Sequence, residues 1–369
     1  MRQPVRIAAR RAPRVPAPMR IAVLVLAPLG IASLATDALA DESRTMLIGP
    51  TTIIQPGHYV LAADIEAAVD PVILIQSDLV TLDLNGHAIR IPATTGVAVT
   101  IQENARSIRI RNGRISGGSS AVRHLASNPA SETTVVLEDL EITDLQGAAI
   151  LIQNARSVDV LRCAIRRTGQ IGLFGGEGIS LVAAPGGQVP PTGRVEYNDL
   201  REINGVGIAI SGTFASLQVR RNTLVEIQDY RMTIAGGGVR VEGNTFIGNN
   251  GLGLFLNASG VDLVDNVFNG PCFMAQIYPD GSTPPLGSNR ITGNVLIPNP
   301  ACSGFDALGV FSSRNLIENN QIRGSAGCAL RFGPAATSNS YRGNMLRMNA
   351  GGAVCNSGTG NTDDGSNIY

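Results

Sequence analysis

Short apolar segments recur along the chain, separated by polar turns at a near-constant spacing. Seven segments share the pattern apolar-x-x-Asn-x-apolar. Their asparagines are Asn198, Asn222, Asn244, Asn266, Asn294, Asn320 and Asn344. Neighbouring asparagines are 22 to 28 residues apart, and further short runs lie between them, as in Gly207–Ile210 and Leu308–Phe311. Apolar side chains alternate in these runs and Gly and Asn fill the gaps, a pattern that predicts short β-strands joined by turns.

A unit of this size cannot bury the apolar faces of its strands alone, so successive units must stack on one another. We therefore predict an all-β fold, a single right-handed parallel β-helix of about a dozen coils with an N-terminal cap. Earlier segments such as Val80–Gly86 and Ile108–Gly113 follow the same plan, and Cys163 takes the place of the asparagine in Val160–Ile165. We expect the asparagines to be structural, because a side-chain amide at each turn can hydrogen-bond its equivalents in the coils above and below.

The first 40 residues have the features of an export signal. Met19 and Arg20 precede an apolar run, residues 21–35, and a small-x-small site that ends at Ala40. This arrangement predicts a signal peptide over residues 1–40, with translation starting at Met19. The apolar run is shorter than the ~20 residues of a spanning helix. We therefore expect a secreted or periplasmic protein with no membrane span after cleavage.

The rest of the chain divides into three predicted parts. Residues 41–75 are expected to form the N-terminal cap and the first coil, because the end of a solenoid would otherwise expose its core. Residues 76–356 are expected to form the β-helix itself. Residues 357–369 are small, polar and rich in turn residues, which predicts a polar C-terminal tail.

The charge balance changes once the signal is removed. The full sequence holds 29 basic and 29 acidic residues, and every basic one is Arg. Residues 1–40 contain six Arg and one Asp, which leaves 23 basic and 28 acidic residues and a net charge of −5. A negative net charge argues against nucleic acid and anionic membrane surfaces as partners.

Two disulfide patterns are open to the five cysteines. Cys302 and Cys328 each lie eight residues after the asparagine of their coil, so they would occupy neighbouring rungs ~4.8 Å apart, which a disulfide can bridge. The competing pattern pairs Cys272 with Cys302 and Cys328 with Cys355, and we favour it because it uses all four. Either suits an exported protein. Cys163 is left over and is expected to be buried as a small apolar residue.

Residues Pro56–Leu61, followed by Val80–Gly86 and the asparagine coils, resemble bacterial secreted proteins of the right-handed parallel β-helix repeat type, within the pectate-lyase-like superfamily. The resemblance covers nearly all of the chain after residue 40 and implies the fold. This group includes polysaccharide lyases, hydrolases and epimerases as well as proteins without known activity, so the resemblance does not choose a chemistry. Lyases that use lysine as the base do not fit, because the sequence has no Lys.

Long loops on a rigid solenoid are where binding usually takes place. The sequence has two, one in the 35-residue step from Cys163 to Asn198 and one between Asn269 and Gly287. The strongest cluster of acid, base and cation is Asp229-Tyr230-Arg231, which we predict to be catalytic. Elimination from a uronate needs a base near the C5 proton and a group that neutralises the carboxylate. The substrate-binding residues predicted on the outward face of the rungs above are Asn257, Gln276, Tyr278 and Asp280.

The sequence thus predicts an exported β-helix that acts on or binds polysaccharide or a cell-envelope glycan, as a monomer. If it is an enzyme, a polysaccharide lyase comes first and a hydrolase second. The alternative is a non-catalytic β-helix of the periplasm or cell surface that binds glycan or protein. We predict no metal site and no cofactor other than Ca²⁺, for which Asp363-Asp364-Gly365 offers one acidic turn.

Overall fold

The computed structural model describes residues 44–128, 131–169, 176–184, 189–248, 252–279, 287–299, 302 and 304–369. The predicted signal peptide, residues 1–40 with its start at Met19, lies outside this set. The described residues form 37 strands and no helix. No helix in this part of the chain therefore has the length and apolar character of a membrane span.

The strands are short, and they follow one another in a repeating order. They are β1 (Arg44–Leu47), β2 (Thr51–Ile53), β3 (Gly57–Leu61), β4 (Ile65–Glu66), β5 (Ile73–Ile75), β6 (Val80–Asp83), β7 (Ala88–Ile91), β8 (Val97–Ile101), β9 (Ile108–Gly117), β10 (Ser120–Leu125), β11 (Thr134–Leu145), β12 (Ile150–Gln153), β13 (Ser157–Leu161), β14 (Ala164–Thr168), β15 (Ile179–Val182), β16 (Thr192–Glu196), β17 (Asp199–Arg201), β18 (Ile208–Ser211), β19 (Ser216–Arg220), β20 (Thr223–Val225), β21 (Tyr230–Ala235), β22 (Val239–Glu242), β23 (Thr245–Ile247), β24 (Leu252–Asn257), β25 (Asp262–Val264), β26 (Val267–Asn269), β27 (Ala275–Tyr278), β28 (Arg290–Thr292), β29 (Val295–Ile297), β30 (Leu308–Val310), β31 (Leu316–Glu318), β32 (Gln321–Arg323), β33 (Leu330–Phe332), β34 (Ser340–Arg342), β35 (Met345–Arg347), β36 (Val354–Asn356) and β37 (Thr362–Asp363).

Each strand pairs in parallel with its equivalents one coil before and one coil after, which confirms the predicted parallel β-helix. The pairing makes three faces. Face A contains β16, β19 and β22 and their equivalents, face B contains β17, β20 and β23, and face C is the 13-stranded sheet from β2 to β36 that includes β15, β18 and β21. The long strands β9 and β11 run through the corner between faces A and B and join them into one sheet.

The core is a stack of like side chains, because the parallel register places equivalent residues directly above one another. In one coil Val195, Leu200 and Ile208 all point inward and are fully buried. The rings of Phe246 and Phe268, which pair in register, stack with centroids 4.6 Å apart. Burial of such aliphatic and aromatic side chains contributes roughly 1.5–3 kcal/mol each, which makes this stack the main source of stability.

The asparagine column lies at the corner between faces A and B. The side-chain Oδ1 of Asn222 accepts hydrogen bonds from both the backbone N–H and the Nδ2 of Asn198, each at 2.9 Å. Asn222 donates in the same way to Asn244, and the chain of bonds continues through Asn344 to Asn367. The predicted structural role is confirmed, and Asn367 adds an eighth member.

The residue before each asparagine adopts a left-handed backbone conformation. Its φ is 60° at Tyr197, 53° at Arg221 and 51° at Asp265, and the equivalent positions Gly243 and Gly293 have φ of 63° and 69°. This region costs energy for residues with a Cβ atom and is free of strain for glycine. The sharp corner therefore depends on the asparagine bonds that follow it, since they hold the strained residue in place.

A second asparagine column, which the sequence analysis did not identify, lies at the corner between faces C and A. Its members are Asn289, Asn315, Asn339 and Asn361, and each accepts on Oδ1 from the preceding member. The backbone N–H of Val261 begins the column by donating to Asn289 Oδ1 at 2.9 Å. The C-terminal coils are thus held at two corners by side-chain amides.

Two disulfides link C-terminal coils, in the pattern that we favoured. Cys272 pairs with Cys302 and Cys328 with Cys355, with Cα–Cα distances of 5.3 and 6.0 Å. Cys163 is a free thiol that is almost completely buried. Burial raises its pKa to about 12, so the thiol stays protonated and behaves as a core residue.

Both ends of the described chain take part in the stack. Strand β1 already pairs with β3, with Thr45 opposite Tyr59, within the part predicted to be the cap and first coil. In the predicted polar tail, β37 pairs with β34 and Ile368 bridges to Met345. The Asp363 carboxylate there accepts hydrogen bonds from Gly365 N, Asn367 Nδ2 and Tyr369 Oη. The tail is exposed, and it continues the coil.

Candidate functional site

Both long insertions predicted from the sequence border face C. The first flanks β15 on both sides, since β14 ends at Thr168 and β16 begins only at Thr192. The second follows β27, which ends at Tyr278, and precedes β28, which begins at Arg290. Parts of both insertions, residues 170–175, 185–188 and 280–286, lie outside the described residues. Face C is therefore the first surface to consider for binding.

The outward side of face C carries a continuous series of aromatic side chains from β21 through β24 and β27 to the residue after β30. We call this series the aromatic row; its members are Tyr230, Phe255, Tyr278 and Phe311, and two further rings, Phe273 and Phe305, adjoin it from the turns before β27 and β30. The ring centroids of Tyr230 and Phe255 are 5.4 Å apart, those of Phe255 and Tyr278 5.1 Å, and those of Tyr278 and Phe311 4.9 Å. These separations are typical of favourable aromatic contacts.

The aromatic row and the two adjoining rings differ in burial. Tyr230, Phe255, Tyr278 and Phe311 are half-buried, so part of each ring faces solvent. Phe273 is fully buried and lies under the row, 6.4 Å from Tyr230 and 5.8 Å from the exposed Phe305, centroid to centroid. Solvent-exposed aromatic surface on a rigid sheet is typical of binding sites.

Two glycines make room for the last ring. An added Cβ at Gly309 would lie 2.9 Å from the ring of Phe311, and one at Gly333 would lie 2.4 Å from it. Gly309 is two residues before the ring in the same rung of face C, and Gly333 is opposite it in the next rung. The absence of side chains at these two positions lets Phe311 fold over the backbone and stack on Tyr278, with an angle of 14° between the two rings.

Polar groups stand beside the rings. The Oη of Tyr278 donates to Oε1 of Gln276 at 3.2 Å, and Asn257 is opposite Tyr278 in the strand register and exposed. Burial, and after it the charge of Asp229, raises the pKa of Tyr230. Its hydroxyl therefore remains a hydrogen-bond donor at neutral pH. Amide and hydroxyl groups beside aromatic rings can bind the hydroxyls and the C–H face of a sugar ring.

The predicted substrate-binding residues Asn257, Gln276 and Tyr278 are thus brought together on face C, and Tyr230 joins them. Asp229, in the turn before β21, is half-buried next to Tyr230. Asp280 lies outside the described residues. The sequence analysis missed Phe255, Phe273, Phe305 and Phe311. The sequence did contain a signal for these rings. Aromatic residues are few, with 9 Phe and 6 Tyr, and yet three of the short apolar runs end in one.

Arg231 does not share this surface. Its side chain points into the interior and is fully buried. The guanidinium donates to the carbonyl oxygens of Leu252, at 2.9 Å, and Gly248, at 2.8 Å, in the following coil. Burial lowers the pKa of Arg231 to about 10. Arg231 therefore lies apart from the ring of Tyr230, because its hydrogen-bond partners are the turn carbonyls.

A second polar cluster forms a depression of about 380 Å³ at the corner between faces A and B. It is lined by Glu196, Tyr197, Arg220, Arg221, Glu242, Gly243 and Asp265. Acid, arginine and tyrosine do meet here, but they bind one another. Glu242 Oε2 is 3.1 Å from Arg220 Nε and accepts from Arg240 at 2.9 Å, and the Arg240 bond is the main reason why the pKa of Glu242 is lowered. Arg221 donates to the Tyr197 hydroxyl and stacks on its ring.

Charge pairing continues along the outer side of face A. Glu318 accepts from Arg290 and Arg342 of the neighbouring coils, and Asp159 accepts from Arg194. Within the described residues no group of three or more His, Cys, Asp or Glu side chains is placed to hold a metal ion. Ion pairs with exposed arginines contribute little stability, but they occupy the charges of face A.

One protein-family model matches this chain. The model for right handed beta helix regions matches residues 73–268. No curated protein matches the chain. A solved structure of the catalytic domain of a GH87 alpha-1,3-glucanase in complex with tetrasaccharides is similar, with a TM-score of 0.52 and 10% identity; the alignment covers 89% of this chain and 63% of that one.

Two further solved structures align over most of the chain. The A-module of the Azotobacter vinelandii mannuronan C-5 epimerase AlgE6 has a TM-score of 0.47 and 11% identity, with 89% of this chain and 91% of that one covered. The Dettilon tailspike protein has a TM-score of 0.44 and 13% identity, with 85% and 61% covered. At these identities the likeness concerns the fold alone.

Proposed function

The chain belongs to the right-handed β-helix family, and we propose that it binds polysaccharide along the outer side of face C, with the aromatic row as its contact surface. The observation that carries the proposal is the row itself, four half-exposed rings in consecutive rungs with amide and hydroxyl groups beside them. The carbon-bound hydrogens of a sugar ring bear partial positive charge and are attracted to the electron-rich face of an aromatic ring.

The same geometry favours binding over the lyase chemistry expected at Asp229, Tyr230 and Arg231. Arg231 is buried and already bound to two carbonyl groups, so it has no access to a uronate on the surface. The raised pKa of Tyr230 keeps its hydroxyl protonated, which suits a hydrogen-bond donor better than a base. Glycan binding is therefore the primary proposal, and elimination at Asp229 and Tyr230 is the alternative that the same assay checks.

Export fits this function. Two disulfides persist most readily in an oxidising compartment. The predicted signal peptide over residues 1–40 would deliver the chain to such a compartment. We propose that the protein meets its glycan in the periplasm, at the cell surface or outside the cell.

The test is a binding screen of the purified protein against neutral and uronate polysaccharides, followed by titration calorimetry with the tightest ligand. Tyr278→Ala and Phe311→Ala are each expected to weaken binding roughly five- to tenfold. The reason is that an aromatic contact contributes on the order of 1 kcal/mol, and ~1.4 kcal/mol is tenfold in Kd.

Tyr197→Ala is the matched control, since it removes an exposed tyrosine from the corner between faces A and B. Its affinity should equal that of the unmodified protein. Equal affinities for all three variants would overturn the proposal. Ultraviolet absorbance from unsaturated uronate ends would instead assign elimination, and Asp229 and Tyr230 would be the first residues to replace.

A further inference from the structure

We propose that the Cys272–Cys302 disulfide is a positioning element of the aromatic row, and that the glycan affinity of the row therefore depends on its oxidation. This inference rests on the proposed function. It assigns to the disulfide a role beyond stability, namely to hold Phe305 against Phe273 and so to support Tyr230 from below.

The disulfide closes an unusually long turn. Ten residues separate β29, which ends at Ile297, from β30, which begins at Leu308. The turn after β14, which contains the first insertion, is as long, whereas the turns from face B to face C after β17, β20, β23, β26 and β32 have four to six residues. A longer turn has more conformations available and costs more entropy to hold in one of them. The bond from Cys302 to Cys272 ties this turn to the preceding coil, with their Cα atoms 5.3 Å apart.

The two cysteines lie next to the rings that they would position. Cys272 directly precedes Phe273, and Cys302 is three residues before Phe305. The Phe305 ring contacts Phe273, with centroids 5.8 Å apart, and Phe273 contacts Tyr230 at 6.4 Å. Phe273 is fully buried, while Phe305 is one of the exposed large apolar side chains. Two ring contacts, Phe305 with Phe273 and Phe273 with Tyr230, thus connect the disulfide-bonded turn with the aromatic row.

Hydrogen bonds hold the turn on both sides: toward the preceding coil, the N–H of Asn299 donates to the carbonyl oxygen of Pro271 at 3.4 Å and the N–H of Met274 donates to that of Ala307 at 2.8 Å. The contacts next to Phe305 itself are on the side of the following coil. The carbonyl oxygen of Phe305 accepts from the backbone N–H of Gly327 at 3.0 Å. The carboxylate of Asp306 accepts from the N–H of Cys328 at 2.8 Å and from Arg331. These partners belong to the following coil, whereas Phe273 and Tyr230 lie on the side of the preceding coils. The disulfide is the covalent link between the turn and the preceding coil.

The second disulfide provides a matched control, because it closes a segment of similar length. Cys272 and Cys302 are 30 residues apart and Cys328 and Cys355 are 27 apart. Loop-closure entropy depends weakly on length, so loss of either bond should lower the free energy of unfolding to a similar extent. Cys328–Cys355 links coils beyond the row, and its loss should leave the Tyr230 end of the row in place.

The experiment compares Cys272→Ser/Cys302→Ser, Cys328→Ser/Cys355→Ser and Phe305→Ala in the full protein, using the tightest polysaccharide from the screen. The first double variant and Phe305→Ala are expected to weaken binding about fivefold, and the second double variant less than twofold. When Phe305→Ala is combined with Cys272→Ser/Cys302→Ser, the two effects should not multiply, since they act through the same contact.

Equal affinity for the two double variants, or effects that multiply in the combined variant, would overturn the inference while leaving glycan binding intact. Unfolding curves for each variant separate a change in affinity from a loss of folded protein. If the unmodified protein binds no polysaccharide at all, the proposed function fails, and that result appears before any variant is made.

Discussion

At the scale of the residue, Arg231 illustrates how a long polar side chain can occupy a position built for a small one. The register places it in a column of face C whose other members are Ala121, Ala149, Gly178, Gly207, Gly253, Met274, Ala307 and Ala329. Its guanidinium runs along the corner to the carbonyls of the next turn. Both Arg231 and Met232 are buried, so the alternation that predicts outward side chains fails at this strand start.

His124 is the residue for which we expect a pH effect. It is fully buried, its Nδ1 lies 3.1 Å from the carbonyl oxygen of Ile101, and its Nε2 has no partner among the described residues. Burial lowers its pKa, and the hydrogen bond to the Ile101 carbonyl and the nearby charge of Glu103 offset this only in part. The folded protein therefore holds His124 neutral at pH values where the unfolded chain, with a histidine pKa of ~6.5, binds a proton.

Stability should consequently fall as the pH drops below ~6.5, with a slope of up to about 1.4 kcal/mol per pH unit, and level off below the folded pKa. Urea unfolding between neutral and mildly acidic pH measures this slope. His124→Leu removes the titrating group and should flatten the curve in that window. A slope that is the same in the variant would assign the effect to other groups.

At the scale of the element, the asparagine column is the feature that could be predicted best from the sequence. Seven of its eight members share the pattern apolar-x-x-Asn-x-apolar, because each must place the same amide at the same corner, and this requirement produces a visible period in the sequence. The second column, from Asn289 to Asn361, has intervals of 26, 24 and 22 residues, as regular as those of the first column, but it has only four members. The number of repeats, together with their regular spacing, thus decides what can be predicted.

Asn244→Ala tests the contribution of one rung. Asn244 Oδ1 accepts from the N–H and the Nδ2 of Asn222, and its Nδ2 donates to Val219 O and Asn266 Oδ1. Removal leaves several buried polar groups without partners, each costing about 1–3 kcal/mol. We expect the free energy of unfolding to fall by on the order of 3 kcal/mol.

Chemical denaturation measures the change, with Thr245→Ala as the control. Thr245 is the adjacent half-buried residue on the outer side of face B, and its replacement should alter stability by no more than ~0.5 kcal/mol. A loss below about 1 kcal/mol for Asn244→Ala would mean that water replaces the lost hydrogen bonds and that the column is not essential.

The aromatic row was harder to predict than the columns, for a physical reason. Its rings come from different positions of successive strands: Phe255 is in register with Gln276, while Asn257 is in register with Tyr278. Contacts between such residues depend on ring orientation and on space made elsewhere, as Gly333 does for Phe311. Sequence spacing predicted Asn257, Gln276 and Tyr278 as neighbours on this face and carried no information about the contacts between the rings.

At the scale of the whole molecule, the reinforcing features are unevenly distributed. Both asparagine columns lie between Asn198 and Asn367, and both disulfides lie after residue 271. In a solenoid, stability is close to a sum of terms for each coil and its neighbours. The coils before Cys163 lack these additions within the described residues, so they should open first.

Hydrogen exchange read by mass spectrometry checks this order. Backbone amides in strands β3 to β13 are expected to exchange faster than those in β19 to β35, because local opening there costs less free energy. Partial unfolding in denaturant should show the same order. Uniform protection along the chain, or earlier exchange in the C-terminal coils, would show that the solenoid opens as one cooperative unit.

The asparagine column also bears on how such a chain can change in length. Asn222 and Asn244 make equivalent contacts, so deletion of residues 222–243 would join Arg221 to Asn244 and leave every remaining amide with a neighbour. Loss of a single residue within a strand would instead turn its side chains to the wrong face. Within the strands, insertions and deletions of one whole coil are therefore the changes that this architecture tolerates, and natural variation in its length should proceed in steps of a coil or be confined to the turns.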